Sequence, residues 1–410
     1  MNVIHIATTL AGGAGAGLGR YHQALKHCGV NSRILLLQPP ATPDPDVDTI
    51  TWRKRSLPRR VLMNLDWDTR VEARTLRQLA RLDRAASRPP DYELFTLPYS
   101  DYCAEDHPWI AEADVVNLHW TSGALDWPRF FQRVRKPIAI TLHDQQPYLG
   151  GFHYAQDAVN HPHLAKLEAR LKSIKQNALA PRRVAVIGNS RWNTAEARAS
   201  GFFKPGATFD TVYYPLDTDV YRPRSKPAAQ SALGLPPDRW MIGFACENIN
   251  NRRKGFDLLI EALAGLPPAL RAQVTLLSFG RDPSPELKAR VSLPWTHLGF
   301  LDGDEAKVAA YAAMDVFIVP SRAEAFGLTA LEAAAVGMPV IATAVGGLIE
   351  AVPWATATTP DVLRAELIAL LGDESLRAQR SAAGRHLAVT RHAPPAIGQQ
   401  LRSIYESLVS

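Results

Sequence analysis

Cysteine is scarce: three in 410 residues, Cys28, Cys103 and Cys246, widely separated. So sparse and odd a set makes no disulfide framework and no metal-ligand spacing, and it suits a reducing cytoplasm with ordinary buried thiols. Missing too is any apolar run approaching the roughly 20 residues that cross a bilayer. The first residues, Met1 to Ile6, lack the basic start and apolar block of a signal peptide and read directly as a strand. No internal repeat or low-complexity tract marks a solenoid or a linker-rich protein. What is present is a globular composition, 46% hydrophobic and 21% charged, in a chain too long for one ordinary core. Two domains are therefore expected.

The net charge of +6 is unevenly placed. Residues 53–88 alone carry ten Arg and one Lys against four acidic residues, so the remainder is close to neutral. Leucines, valines and Trp67 interleave with these charges, as in one or two basic amphipathic helices. Such a segment either packs as a solvated excursion on the N-terminal domain or meets anionic lipid or a polyanionic acceptor. No nucleic-acid-binding motif accompanies it.

Short apolar runs alternate with helical patterns along the whole chain. Val3–Thr9, Ser32–Leu37, Asp114–Leu118, Pro137–Leu142, Val184–Ile187 and Thr211–Tyr214 read as strands of one half. A Pro-rich stretch, Arg222–Pro237, reads as linker. Met241–Ala245, Val274–Phe279, Asp315–Pro320 and Val340–Thr343 read as strands of the other, with helices at Phe256–Gly265, Glu305–Ala313 and Leu328–Val336. This alternation implies parallel sheets, which bind ligands at the C-terminal ends of their strands. The expected fold class is α/β, two doubly wound Rossmann-like domains facing across a cleft. The expected boundaries are 1–220, 221–390, and a C-terminal helix, 391–410, returning to the N-domain.

The most informative stretch runs from Ser321 to Glu332. Glu324 follows a strand, Gly327 permits close backbone approach, and Glu332 lies just over one turn into the next helix. The first amides of that helix are available to an anion. By spacing alone, two Glu eight residues apart also fit a charged surface. Gly12 to Gly17 follows the first strand and reads as a Gly-rich loop, but no strict G-x-G-x-x-G lies there and no acidic residue closes the second strand, so dinucleotide binding is poorly supported. Asp217-Thr218-Asp219 and Asp302-Gly303-Asp304 imitate a metal-binding D-x-D in connecting segments, and are read as chance.

The order of strand, Pro-Ser, Glu-x-Phe-Gly, Glu, Gly-x-Pro-Val and Gly-Gly resembles the signature of retaining glycosyltransferases of family 4, which have the GT-B fold. Further matches are Val115–Trp120, Thr141–Pro147, Asn189–Trp192, Tyr214–Asp217 and Arg253–Asp257, and the likeness is greatest to exopolysaccharide enzymes of the colanic-acid type. The chain departs from the family pattern at Asn248, where an Arg is usual, and in the loop after Gly347.

This resemblance implies a donor site in the second half. Glu324 would hold the sugar, Glu332 the ribose, and Lys254 with Arg253 the diphosphate. Backbone amides of Phe326, Gly327, Leu328, Gly346 and Gly347 would complete the anion site. His143 and Asp144 would form the catalytic face of the first half, with Gly12, Gly13, Gly15 and His119 on the acceptor side. The resemblance implies sugar transfer from a UDP-, GDP- or ADP-linked donor to a glycan, lipid-linked or small-molecule acceptor, with no cofactor and no metal. The expected location is cytoplasmic, peripheral on the inner membrane face where residues 53–88 meet lipid. A GT-B phosphorylase or epimerase, or a catalytically silent carbohydrate-binding relative, are the alternatives.

Overall fold

The computed structural model describes residues 1–40, 42–52 and 94–410, and the basic segment 53–88 lies outside the described residues. Two compact units emerge. The first contains Met1–Gly188, Asn193–Thr211 and Gln399–Ser410, the second Asn189–Trp192 and Val212–Gly398.

The first unit is built on seven parallel strands: β1 (Asn2–Ala7), β2 (Asn31–Leu36), β3 (Val47–Thr49), β4 (Val115–Leu118), β5 (Ile138–Leu142), β6 (Val184–Gly188) and β7 (Thr208–Thr211). Their order is β3-β2-β1-β4-β5-β6-β7. The strands β4, β5 and β6 are buried along their whole length, which is why they read as continuous apolar runs rather than alternating ones. Helix Gly12–His27 returns the chain to β2, burying Leu18, Tyr21, Ala24 and Leu25 at helical spacing. A second core layer gathers Trp127, Phe130 and Phe131 against Ile138, Ile140 and Leu142.

The second unit holds β8 (Trp240–Asn248), β9 (Val274–Arg281), β10 (Trp295–His297), β11 (Val316–Val319) and β12 (Val340–Ala342). They are parallel, in the order β10-β9-β8-β11-β12. In each sheet the strand order reverses once, between β1 and β4 in the first and between β8 and β11 in the second. A crevice at such a switch point, outside the carboxyl ends of the strands, is where doubly wound sheets take ligands.

Three local expectations are corrected. The glycine run is not a loop: helix Gly12–His27 begins within it. A Cβ on Gly15 would lie 2.1 Å from the carbonyl carbon of Leu10, so this glycine serves the packing of a strand-to-helix turn. The last strand of the first sheet is Thr208–Thr211. Tyr214 leaves it because its hydroxyl accepts from Asn189 Nδ2 at 3.0 Å and its carbonyl from His392 Nδ1–H at 2.7 Å. The Pro-rich linker contains a helix, Lys226–Ala232, capped by the Ser225 side chain, with proline tolerated in its first turn.

Candidate active site

In the second unit, the switch point brings one segment from each of three loops together. The turn after β8 carries Arg253 and Lys254, and the Arg253 carbonyl accepts from the Arg322 amide at 2.7 Å. That bond fastens it to the loop after β11, which carries Glu324. The turn after β12 supplies Gly346 and Gly347, and the Gly347 amide donates to the Glu324 carbonyl at 2.9 Å. This approach is as close as backbone allows. A Cβ on Gly346 would sit 2.3 Å from the Glu324 carbonyl oxygen, and one on Gly347 would sit 2.0 Å from that of Ala325. Three loops distant in sequence thereby meet at one residue, Glu324.

Glu324 receives Lys254 Nζ at 2.7 Å and lies 3.6 Å from Arg253 Nη1 through the same oxygen. Ser321 also donates to it, at 3.3 Å. Arg253 additionally donates to the Ala323 carbonyl at 2.9 Å. Beyond Gly327, which turns the chain with φ of 100°, helix Leu328–Ala335 begins. Its first amides have no intrahelical partner. Glu332 is buried on this helix and accepts from the Tyr311 hydroxyl at 3.1 Å. Phe326, expected near the donor, has its ring in the core against Tyr213, Tyr214 and His392, leaving its backbone as the part directed to the loop. Asn248 bonds within its own turn, accepting from the Asn250 amide at 3.0 Å.

In the first unit, His119 follows β4 and His143 follows β5. His119 Nδ1 and His143 Nε2 are 2.8 Å apart, and His119 Nε2 lies 2.8 Å from His5 Nδ1 on β1. Burial holds His143 neutral, pushing it down to about 4, although the neighbouring Asp144 charge opposes this. Asp144 itself engages a different histidine. Its Oδ2 lies 2.6 Å from His153 Nδ1 and accepts from Trp120 Nε1 at 2.9 Å, and its Oδ1 accepts from the Gln146 amide at 3.0 Å. Gly12, Gly13 and Gly15 occupy the start of the helix after β1, so the acceptor-side candidates and His119 flank the same switch point.

The loop after β5 is unusually well fastened. Buried Lys175 donates to the carbonyls of Gln146 at 2.5 Å and Leu149 at 2.9 Å, and burial pushes its ammonium down to about 7. Glu168 accepts from the amides of Gly150, Gly151 and Phe152. Neither residue stands out in sequence, because each lies on a helix more than fifteen residues downstream. His5, Ser32 and His153 were likewise missed. For His5 and Ser32 the available signal was a polar residue inside an otherwise apolar strand, whereas His153 lies in a loop and offered none.

Among the described residues, Cys103, Glu105 and Asp106 have ligand-type atoms within 4.8 Å of one another. Their carboxylates pair with Arg129 and Arg133. Asp217, from one D-x-D, accepts from the Asp219 amide at 2.9 Å and shapes a turn.

Residues 240–373 match the family model of group 1 glycosyl transferases. The chain is 39% identical over 157 residues to D-inositol 3-phosphate glycosyltransferase 1 of Catenulispora acidiphila, covering 35% of this chain and 37% of that protein. It is 31% identical over 219 residues to the lipopolysaccharide core biosynthesis mannosyltransferase LpsB of Rhizobium meliloti, covering 48% and 60%. The chain thus spans less than two thirds of the length of these curated relatives. Anabaena HepE in complex with UDP-glucose superposes with a TM-score of 0.68 at 18% identity, over 99% of this chain and 100% of that one. The chain therefore has the GT-B fold. Among its described residues no helix is long and apolar enough to cross a membrane.

Proposed function

We propose that the protein is a retaining hexosyltransferase that moves a sugar from a nucleotide-sugar donor to a glycan, lipid-linked or small-molecule acceptor in polysaccharide biosynthesis. The observation that carries this reading is the Lys254–Glu324 pair at the switch point of the second sheet, with Glu332 eight residues on. In this reading Lys254 and Arg253 move from Glu324 to the donor diphosphate, freeing the carboxylate to accept from sugar hydroxyls. The amides of Phe326, Gly327, Leu328, Gly346 and Gly347 add neutral donors, and Glu332 accepts from the ribose.

The leaving diphosphate gains negative charge in the transition state, and preorganised cations stabilise it there without a metal. The departing phosphate takes the proton of the acceptor hydroxyl, which attacks on the same face. His143, with Asp144 beside it, faces the reacting sugar. Gly12, Gly13, Gly15 and His119 line the acceptor side. HepE, solved with UDP-glucose, favours UDP as the base carrier to test first. A cytoplasmic enzyme whose residues 53–88 rest on anionic lipid completes the proposal.

The test is a thermal-shift panel of UDP-, GDP- and ADP-sugars, followed by turnover in EDTA and the anomeric configuration of the product by NMR. A bound donor at 100 times its Kd should add about 2.7 kcal/mol of stability. Stabilisation by no nucleotide sugar, or an inverted product, would overturn the proposal.

A further inference from the structure

Glu332 is the one charged residue of helix Leu328–Ala335, and its sequence neighbours Leu331 and Ala333 are buried with it. A buried carboxyl group is costly unless a hydrogen-bond donor meets it. One donor is the Tyr311 hydroxyl, 3.1 Å from Glu332 Oε2. Tyr311 lies on a different element, helix Asp304–Ala312, so the bond ties two helices together and not two turns of one. Apart from Thr329, the rest of the Glu332 helix is alanine and leucine. An apolar residue at 332 would pack there with no partner to find.

The tyrosine ring is held by the sheet. It is inaccessible and meets Phe279 edge-on, with centroids 5.2 Å apart and 76° between planes. It meets Phe317 in the same way, at 5.2 Å and 84°. Phe279 lies near the end of β9 and Phe317 within β11, with β8 between those strands. The ring cannot swing without repacking against both, so its hydroxyl is a donor fixed relative to the sheet. Glu332 is the looser partner, because its carboxylate hangs on several torsions and the last of them is broad. A bond to a fixed donor removes that freedom before any ligand arrives. Preorganisation of this kind lowers the ordering cost of binding.

We propose that Tyr311 is a positioning residue that acts through Glu332, fixing its Oε2 so that the carboxylate is already set to accept from a ribose hydroxyl of the donor. A carboxylate offers about four lone-pair sites and the tyrosine takes one, so the same group serves both. The ribose clause rests on the glycosyl-transfer reading above; the coupling of Tyr311 to Glu332 does not.

Tyr311→Phe keeps the ring between Phe279 and Phe317 and deletes the donor. Thermal melting of the full chain reads the coupling. The substitution should lower the midpoint in the wild-type background, and leave it unchanged or raise it beside Glu332→Ala, where no carboxylate accepts. Equal losses in the two backgrounds overturn the proposal. If Tyr311→Phe alone does not fold, a folded double variant shows the same coupling, and two unfolded proteins overturn it. Matched ligands read the positioning: UDP, GDP and ADP are each titrated beside their 2′,3′-dideoxy forms. The wild type should prefer the hydroxylated form of the nucleotide it binds by about tenfold or more. In Tyr311→Phe that preference should shrink to about threefold while affinity for the dideoxy form holds. A general loosening of the site would weaken both forms alike and leave the preference as it was. An undiminished preference in folded Tyr311→Phe therefore overturns the proposal. A wild type that binds both forms equally removes the ribose contact and the proposal with it, and binding of none of these nucleotides sinks the transferase reading itself.

Discussion

At the scale of single residues, Lys254 and His143 are separable by what each would touch. In the proposed reading Lys254 would meet a group present in both ground and transition states, so Lys254→Ala should weaken nucleoside diphosphate binding and turnover together. His143→Ala should leave that binding nearly unchanged while turnover falls by about two orders of magnitude. Isothermal titration beside single-donor kinetics checks both, and a fully active His143→Ala enzyme would make that histidine structural. Burial holds His5 down at about 3 and His143 at about 4, whereas an unfolded chain binds these protons near pH 6.5. Their contribution to stability is therefore fully present above about pH 6.5 and is lost as the pH falls toward 4. Urea unfolding at pH 7, 6 and 5 should show a decline of at most about 1.4 kcal/mol per pH unit for each histidine. His5→Gln should flatten it, and a decline that the variant leaves intact would contradict the assignment. His119 and His143 were legible because each closes an apolar strand. His5 sits inside β1 and Ser32 inside β2, where sequence offers no sign that the two strands pair.

At the scale of elements, the proposed donor site depends on loops touching backbone to backbone. Gly346 has φ of 51°, and its missing Cβ is what admits the Glu324 carbonyl. Gly201 has φ of 62° but open space around it. Gly201→Ala should cost only the backbone strain, about 1–2 kcal/mol. Gly346→Ala should cost more, because the Glu324 loop must also move, and donor affinity should fall with it. Equal losses in denaturant melts would show that the loop contact matters little. The strand-and-helix alternation was readable because fully buried parallel strands are continuous apolar runs, and the Glu324–Glu332 spacing was readable as a loop leading into a helix. The glycine run was misread as a loop. Glycine is a poor helix former, yet here Gly15 sits in the first turn of a helix because the Leu10 backbone lies where a side chain would go.

At the scale of the whole molecule, charge is the asymmetric property. Residues 53–88 hold a surplus of seven positive charges, and the rest of the chain is nearly neutral. If that segment meets lipid, the protein should cosediment with anionic vesicles and be released by salt. Replacing Arg74, Arg77, Arg81 and Arg84 with Gln should abolish this while turnover on a soluble acceptor persists. Indifference to vesicle charge would return the segment to a solvated excursion.

Helix Pro394–Val409 carries Tyr405, which is fully buried. Its hydroxyl accepts from Asn117 on β4 at 2.7 Å, across 288 residues of sequence. The seven-stranded sheet is thus translated long before a piece of its own interior exists. At ribosomal speeds of about 5–20 residues per second, β4 waits roughly a quarter of a minute to a minute for Tyr405. Throughout that interval the nascent first unit exposes an unfilled position beside Asn117 and Thr141. Completion of the first unit therefore follows synthesis of the second, and a ribosome stalled before residue 405 should carry a first half that proteases cut and a chaperone retains.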